Sequence, residues 1–117
     1  MLQKNIALDP DDTCPYNGLG NLYFQQNKLK EAEISYLKAI KLDPDDSTAH
    51  NNLGILYNDQ GKTEEAEKSY KKAIELDPDY AFAHYNLGIL YHKQDKLDEA
   101  EEFFKRAKEL DPNIDNK

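Results

Sequence analysis

The chain has 117 residues, 38% hydrophobic and 32% charged, with eight Tyr, no Trp and a formal net charge of −8. That balance belongs to a globular chain of one ordinary domain's length, not to a disordered one; no window reaches the roughly 20 apolar residues of a membrane span, and the opening MLQKNIALDPDD lacks the basic-then-apolar build of a secretory leader. Ten of the 23 acids (Asp9, Asp11, Asp12, Asp43, Asp45, Asp46, Asp77, Asp79, Asp111 and Asp115) sit at or beside Asp-Pro junctions and no basic stripe exists, which excludes nucleic acid, whose phosphates need Lys and Arg.

Residues 51–78, NNLGILYNDQGKTEEAEKSYKKAIELDP, recur 34 residues earlier at 17–44 and 34 residues later at 85–112. A fixed period of this length is the signature of stacked helical repeats, in which each unit buries its apolar face against its neighbours. The first segment, 1–12, reads as a partial repeat containing a second helix only: Ile6, Leu8 and Pro10 fall in register with Ile40, Leu42 and Pro44. It is either the remnant of a longer array or a lid on the first repeat. Full repeats follow at 13–46, 47–80 and 81–114, with a tail at 115–117.

Each repeat reads as two helices. The first helices are expected near 13–26, 47–60 and 81–94, the second near 28–43, 62–77 and 96–111. Asp12 or Thr13 can cap the opening helix, and Pro15 fits its first turn, where a missing N–H costs nothing. Tyr16, Leu19 and Tyr23 mark a buried stripe at helical spacing. Gly20, Gly54 and Gly88 recur inside helices, where Gly costs about 1 kcal/mol relative to Ala, so a close approach is expected, with Ala32, Ala66 and Ala100 facing them. Asn27, Gly61 and Asp95 share one turn position, and these residue types tolerate a left-handed backbone best. Ala32, Tyr36, Ala39, Ile40 and Leu42 form the apolar face of the second helix, which the Asp-Pro step ends. Glu64–Lys68, Glu67–Lys71, Glu101–Lys105 and Glu102–Arg106 are spaced as i,i+4 ion pairs. The last repeat has Lys108 where Ile6, Ile40 and Ile74 stand earlier, which suits a helix with nothing packed after it; Phe103, in place of Ser35 and Ser69, adds apolar surface there.

These positions carry a resemblance. Tyr16, Leu19-Gly20, Tyr23, Ala32, Tyr36, Ala39 and Pro44, with their counterparts His50 to Pro78 and His84 to Pro112, resemble the 34-residue pattern of tetratricopeptide repeat proteins over residues 13–114. The departure is at the large first position, where two copies have His. The resemblance implies an all-α, right-handed superhelical solenoid of antiparallel helix pairs whose first helices line a concave groove.

Charge divides along the same lines: two charged residues, Asp59 and Lys93, fall in the 42 positions of the first helices, against 26 in the 48 of the second. The family's groove offsets fall on Cys14, Asn17, Gly18, Asn21, Phe24 and Gln25, then on Thr48, Asn51, Asn52, Ile55, Asn58 and Asp59, then on Phe82, Tyr85, Asn86, Ile89, His92 and Lys93. The expected site comprises Asn17, Asn21, Asn51, Asn52, Ile55, Phe82, Tyr85, Asn86 and Ile89. Asn21, Asn52 and Asn86 offer donor and acceptor to a peptide backbone, and Ile55, Phe82, Tyr85 and Ile89 form an apolar shelf. Family members that clamp an acidic chaperone tail use two Asn and three basic residues; Asn21 and Asn52 match the former, whereas Asn17, Phe82 and Asn86 occupy the basic positions, so such tails are expected to bind weakly. Asn52 and Asn86 also match the asparagine ladder of O-linked N-acetylglucosamine transferase repeats, which Gly18 interrupts.

No nucleophile–base pairing, phosphate loop or metal cluster emerges, so neither catalysis nor a cofactor is expected. His50 and His84 sit at a packing position with no third ligand nearby, and Cys14 has no partner base. A lone cysteine cannot close an internal disulfide, which fits a reducing, cytoplasmic setting. The expected function is a protein-interaction scaffold that holds an extended peptide or helix of a partner in its groove. The alternatives are a module that self-associates through its ends, residues 1–12 and the Phe103/Phe104 helix, or a substrate-docking fragment of an enzyme.

Overall fold

The computed structural model describes residues 14–114; the partial repeat at 1–12, the cap at Asp12 or Thr13 and the tail at 115–117 lie outside the described residues. Six helices follow one another: α1 (Cys14–Gln25), α2 (Leu29–Leu42), α3 (Ser47–Asp59), α4 (Thr63–Leu76), α5 (Ala81–Lys93) and α6 (Leu97–Leu110). They form three antiparallel pairs in an all-α repeat solenoid, elongated to 46 × 27 × 25 Å.

The turns within pairs share one backbone solution. Asn27, Gly61 and Asp95 adopt φ of 62°, 77° and 66°, the left-handed conformation expected of them. At the first turn, Lys28 N–H donates to the Tyr23 carbonyl (2.8 Å) and Asn27 N–H to that of Phe24 (2.9 Å); the same two bonds recur at Lys62 and Gly61, and at Lys96 and Asp95. This crossed pair is the Schellman arrangement, which satisfies carbonyls the ending helix would leave open. It also reverses the chain within three residues, which is what sets each second helix against its first.

The connections between pairs use aspartate. Asp43, Asp77 and Asp111 are extended, as residues before proline must be. Each accepts from the N–H two residues on, at 3.0 to 3.2 Å, closing an Asx-turn. Asp46 then caps α3 through Thr48 and Ala49 N–H. The acids grouped at these junctions are therefore partly turn chemistry, and Asp79 is further drawn to Arg106 at 3.5 Å. Of the expected i,i+4 pairs, Glu67–Lys71 closes at 3.1 Å, while Arg106 reaches Asp79 and Glu109.

One cluster joins Ala32 and Tyr36 to Leu53 and Leu56 of the next pair; the second joins Ala66 and Tyr70 to Leu87, Leu90 and Tyr91. The close approach at the helical glycines is made to a ring and not to the alanine that was expected. A Cβ on Gly20 would lie 2.5 Å from the Tyr36 ring, on Gly54 2.6 Å from Tyr70, and on Gly88 2.8 Å from Phe104. At Gly88 the Ala100 carbonyl adds a contact at 3.3 Å. His50 and His84 tie their helices to the preceding junction, with Nε2 3.1 Å from the Pro44 carbonyl and 2.8 Å from that of Pro78. Phe103 turns inward between His84 and Tyr91, with ring centroids 6.0 and 5.6 Å away, and Phe104 packs on Tyr85 at 5.5 Å. Both are half-buried, so Phe103 adds less apolar surface to this helix than its place in the sequence led one to expect.

Candidate functional site

First helices of successive pairs touch, α1 with α3 and α3 with α5, and second helices touch one another less. A stack that is closer on one side bends toward that side, so α1, α3 and α5 line the inner wall. Its charged residues, Asp59 and Lys93, are exposed at the helix C-terminal ends, and between them the wall is carboxamide, hydroxyl and apolar.

The nine expected residues separate into two sets. Asn17 and Asn51 are buried, at 8% and 3% exposure, and point between repeats. Asn17 Nδ2 donates to Asp46 (2.9 Å), and Asn51 Nδ2 lies 3.4 Å from the Tyr80 hydroxyl, its acceptor one period later. These two side chains join α1 and α3 to the next junction through their amide nitrogens, and both are buried. The physical reason is the companion residue 29 positions on, a polar Asp46 or Tyr80 that their offset alone does not reveal. The third copy has Tyr85 and Ile114 at these places, and Ile114 is buried.

Asn21 is exposed and its Oδ1 accepts from the Tyr36 hydroxyl, 2.5 Å away. Burial raises the Tyr36 pKa to about 12, so the hydroxyl keeps its proton and remains a donor. Asn86 is half-buried and donates to Asn51 Oδ1 at 3.1 Å. The corresponding pair one repeat earlier is Asn52 and Asn17, and here Asn52 Nδ2 and Asn17 Oδ1 are both buried with no partner among the described residues. One carboxamide rung is thus closed and its counterpart is open. Ile55 and Ile89 are half-buried, and Phe82 is 42% exposed on the first turn of α5. Tyr85, on the same helix as Phe82 and Ile89, lines a hollow of 470 Å³ with Glu101, Phe104, Lys105 and Lys108.

Two features went unread in the sequence. Tyr57 donates to Glu33 (3.1 Å) and Tyr91 to Glu67 (2.6 Å), linking each first helix to the second helix before it. The signal was present: Tyr23, Tyr57 and Tyr91 recur with Glu33, Glu67 and Glu101. The other is Tyr36, whose spacing marks it as core alone and whose hydroxyl nevertheless reaches the wall. Among the described residues no group of three His, Cys, Asp or Glu side chains gathers as a metal site, and no helix is long and apolar enough to cross a membrane.

Helix pairs of one length, one turn and one inter-repeat link, stacked with an uncharged inner wall, define a helical-repeat scaffold. Models of the tetratricopeptide repeat match residues 20–61, 54–95 and 81–114, and the chain belongs to the tetratricopeptide repeat family. Among solved structures it is similar to the first such domain of Spaghetti (RPAP3) bound to the HSP90 peptide SRMEEVD, with 30% identity over 90% of this chain and 83% of that one, TM-score 0.83. YrrB, described as a tetratricopeptide protein with an unusual peptide-binding site, is 29% identical over 98% of this chain and 59% of its own, TM-score 0.83. MamA is 28% identical over 99% of this chain and 68% of its own, TM-score 0.80. Comparison with curated proteins gives no match.

Proposed function

We propose that the chain is a non-catalytic scaffold that takes an extended, largely uncharged segment of a partner protein along the wall of α1, α3 and α5. The observation that carries this reading is the partition of charge: a wall with two charged residues in 42 positions, on a chain that is elsewhere nearly half charged, does not select partners by long-range charge. Asn21 and Asn52 supply hydrogen bonds to peptide groups, Ile55, Phe82 and Ile89 supply apolar contact, and Asn17, Asn51 and Asn86 hold the wall in register. Two neighbours in the family bind the acidic peptide SRMEEVD. This chain carries Asn17, Phe82 and Asn86 where the acidic-tail clamp of the family has cations, so that peptide binds it weakly, and charge-assisted bonds are the ones it lacks.

A peptide array probed with wild type and with Asn21→Ala/Asn52→Ala tests the reading. Uncharged peptides are retained by the wild type and lost by the double variant; equal retention by both overturns the carboxamide contacts. Raising salt from about 0.05 to about 0.5 M changes the retained affinities by less than about twofold, because no charge pair is there to be screened.

A further inference from the structure

Three equivalent pairs of residues, one from each repeat, join the core aromatic of the second helix to the inner wall of the first. They are Tyr36 with Asn21, Tyr70 with Ile55, and Phe104 with Ile89, each 15 residues apart. All three rings occupy the same place, against Gly20, Gly54 and Gly88. Only the first pair is bonded: the Tyr36 hydroxyl donates to Asn21 Oδ1. An isoleucine cannot accept, so the Tyr70 hydroxyl has no use at the wall, and the third repeat has lost both the acceptor and the hydroxyl.

We propose that Tyr36 is a positioning residue that fixes the Asn21 carboxamide as a one-way hydrogen-bond donor, its oxygen taken from below and its Nδ2 left for a carbonyl of the bound peptide. An unrestrained Asn offers donor and acceptor alike by rotating its amide; with Oδ1 occupied, Asn21 discriminates in favour of an acceptor. The row at this register then reads donor, isoleucine, isoleucine. It selects an extended peptide with a main-chain or carboxamide carbonyl over α1 and aliphatic or aromatic side chains over α3 and α5. This rests on the proposed binding wall and adds its polarity.

The experiment compares Tyr36→Phe, Asn21→Ala, their combination and Tyr70→Phe, using as probe the strongest wild-type binder from the uncharged array. Phe104 stands at this place in the third repeat, so the ring alone is compatible with the fold. Tyr36→Phe and Asn21→Ala each weaken the probe by about three- to tenfold, the size of one hydrogen bond. The combination is no weaker than Asn21→Ala, and Tyr70→Phe stays within about twofold of wild type. Wild-type affinity in Tyr36→Phe, or full additivity in the combination, overturns the proposal. A second arm needs no ligand: the Asn21 side-chain amide gives a dispersed, motionally restricted proton pair by NMR in the wild type and a flexible one in Tyr36→Phe. An unchanged pair in Tyr36→Phe overturns the positioning role. If no array peptide binds the wild type, the binding wall itself fails, and the amide signal still decides whether Tyr36 fixes Asn21.

Discussion

Gly18 and Gly20 lie two residues apart on α1 and respond in opposite directions to the same methyl group. A Cβ on Gly20 meets the Tyr36 ring at 2.5 Å, and that ring is fully enclosed. A Cβ on Gly18 meets nothing within 4 Å. Gly20→Ala therefore costs about 1–3 kcal/mol through overpacking, while Gly18→Ala gains about 0.5–1 kcal/mol by removing chain entropy from the unfolded state. Urea denaturation of the two variants checks both signs. The recurrence of Gly20 at 54 and 88 announced the close approach in the sequence. The ring was hidden, because Tyr36 and its counterparts read equally well as ordinary core.

At the level of the element, the Schellman turn and the Tyr–Glu link carry the pair geometry. Gly61→Ala places a Cβ at φ 77° and lowers stability by about 1–2 kcal/mol, measurable as a drop in urea midpoint. The Tyr91 hydroxyl bonded to Glu67 holds that carboxyl below its ordinary value of 4.5, with Lys71 adding to the effect against an opposing cost of burial. A carboxyl whose folded pKa is lowered contributes fully above 4.5 and loses that contribution as pH falls through the lower folded value. Glu67→Gln keeps an acceptor for Tyr91 but removes the titration, so its stability falls less steeply than wild type below that pH. Acid titration of the two by circular dichroism makes the comparison. The turns were legible in advance, since a tolerance for the left-handed backbone is what Asn, Gly and Asp have in common. The Tyr–Glu link was not, because it joins residues 24 apart on different repeats, and both residue types have plain surface and core readings.

Across the described residues, contacts run mainly between neighbouring helices and next-but-one first helices. Stability in such a stack is a sum of units and interfaces, so opening begins in the helices with the fewest described contacts. Amide hydrogen exchange is slowest around Ala66, Tyr70 and Ala73 of α4, which has a described pair on either side, and faster in α1 and α6. Uniform protection across all six helices is the contrary result. The architecture was readable because one period repeats three times and fixes helix lengths, turns and order together. The site was readable only as a face. Asn17, Asn21, Asn51 and Asn52 are one residue type at neighbouring offsets, yet two donate to the next junction, one is held by a tyrosine and one is left open. What separates them is the partner supplied by another copy, which no single stretch of sequence contains.

The Glu33–Tyr57 and Glu67–Tyr91 links have a consequence for growth of the array. Each is written with one half in a repeat and the other half in its successor, so every copy carries both a socket and a plug. A duplicate of 47–80 inserted after residue 80 would present Tyr to the existing Glu67 and its own Glu to Tyr91 with no residue altered. Such a chain can lengthen its inner wall by tandem duplication, one Asn52-bearing turn at a time, and leave the ends as they were.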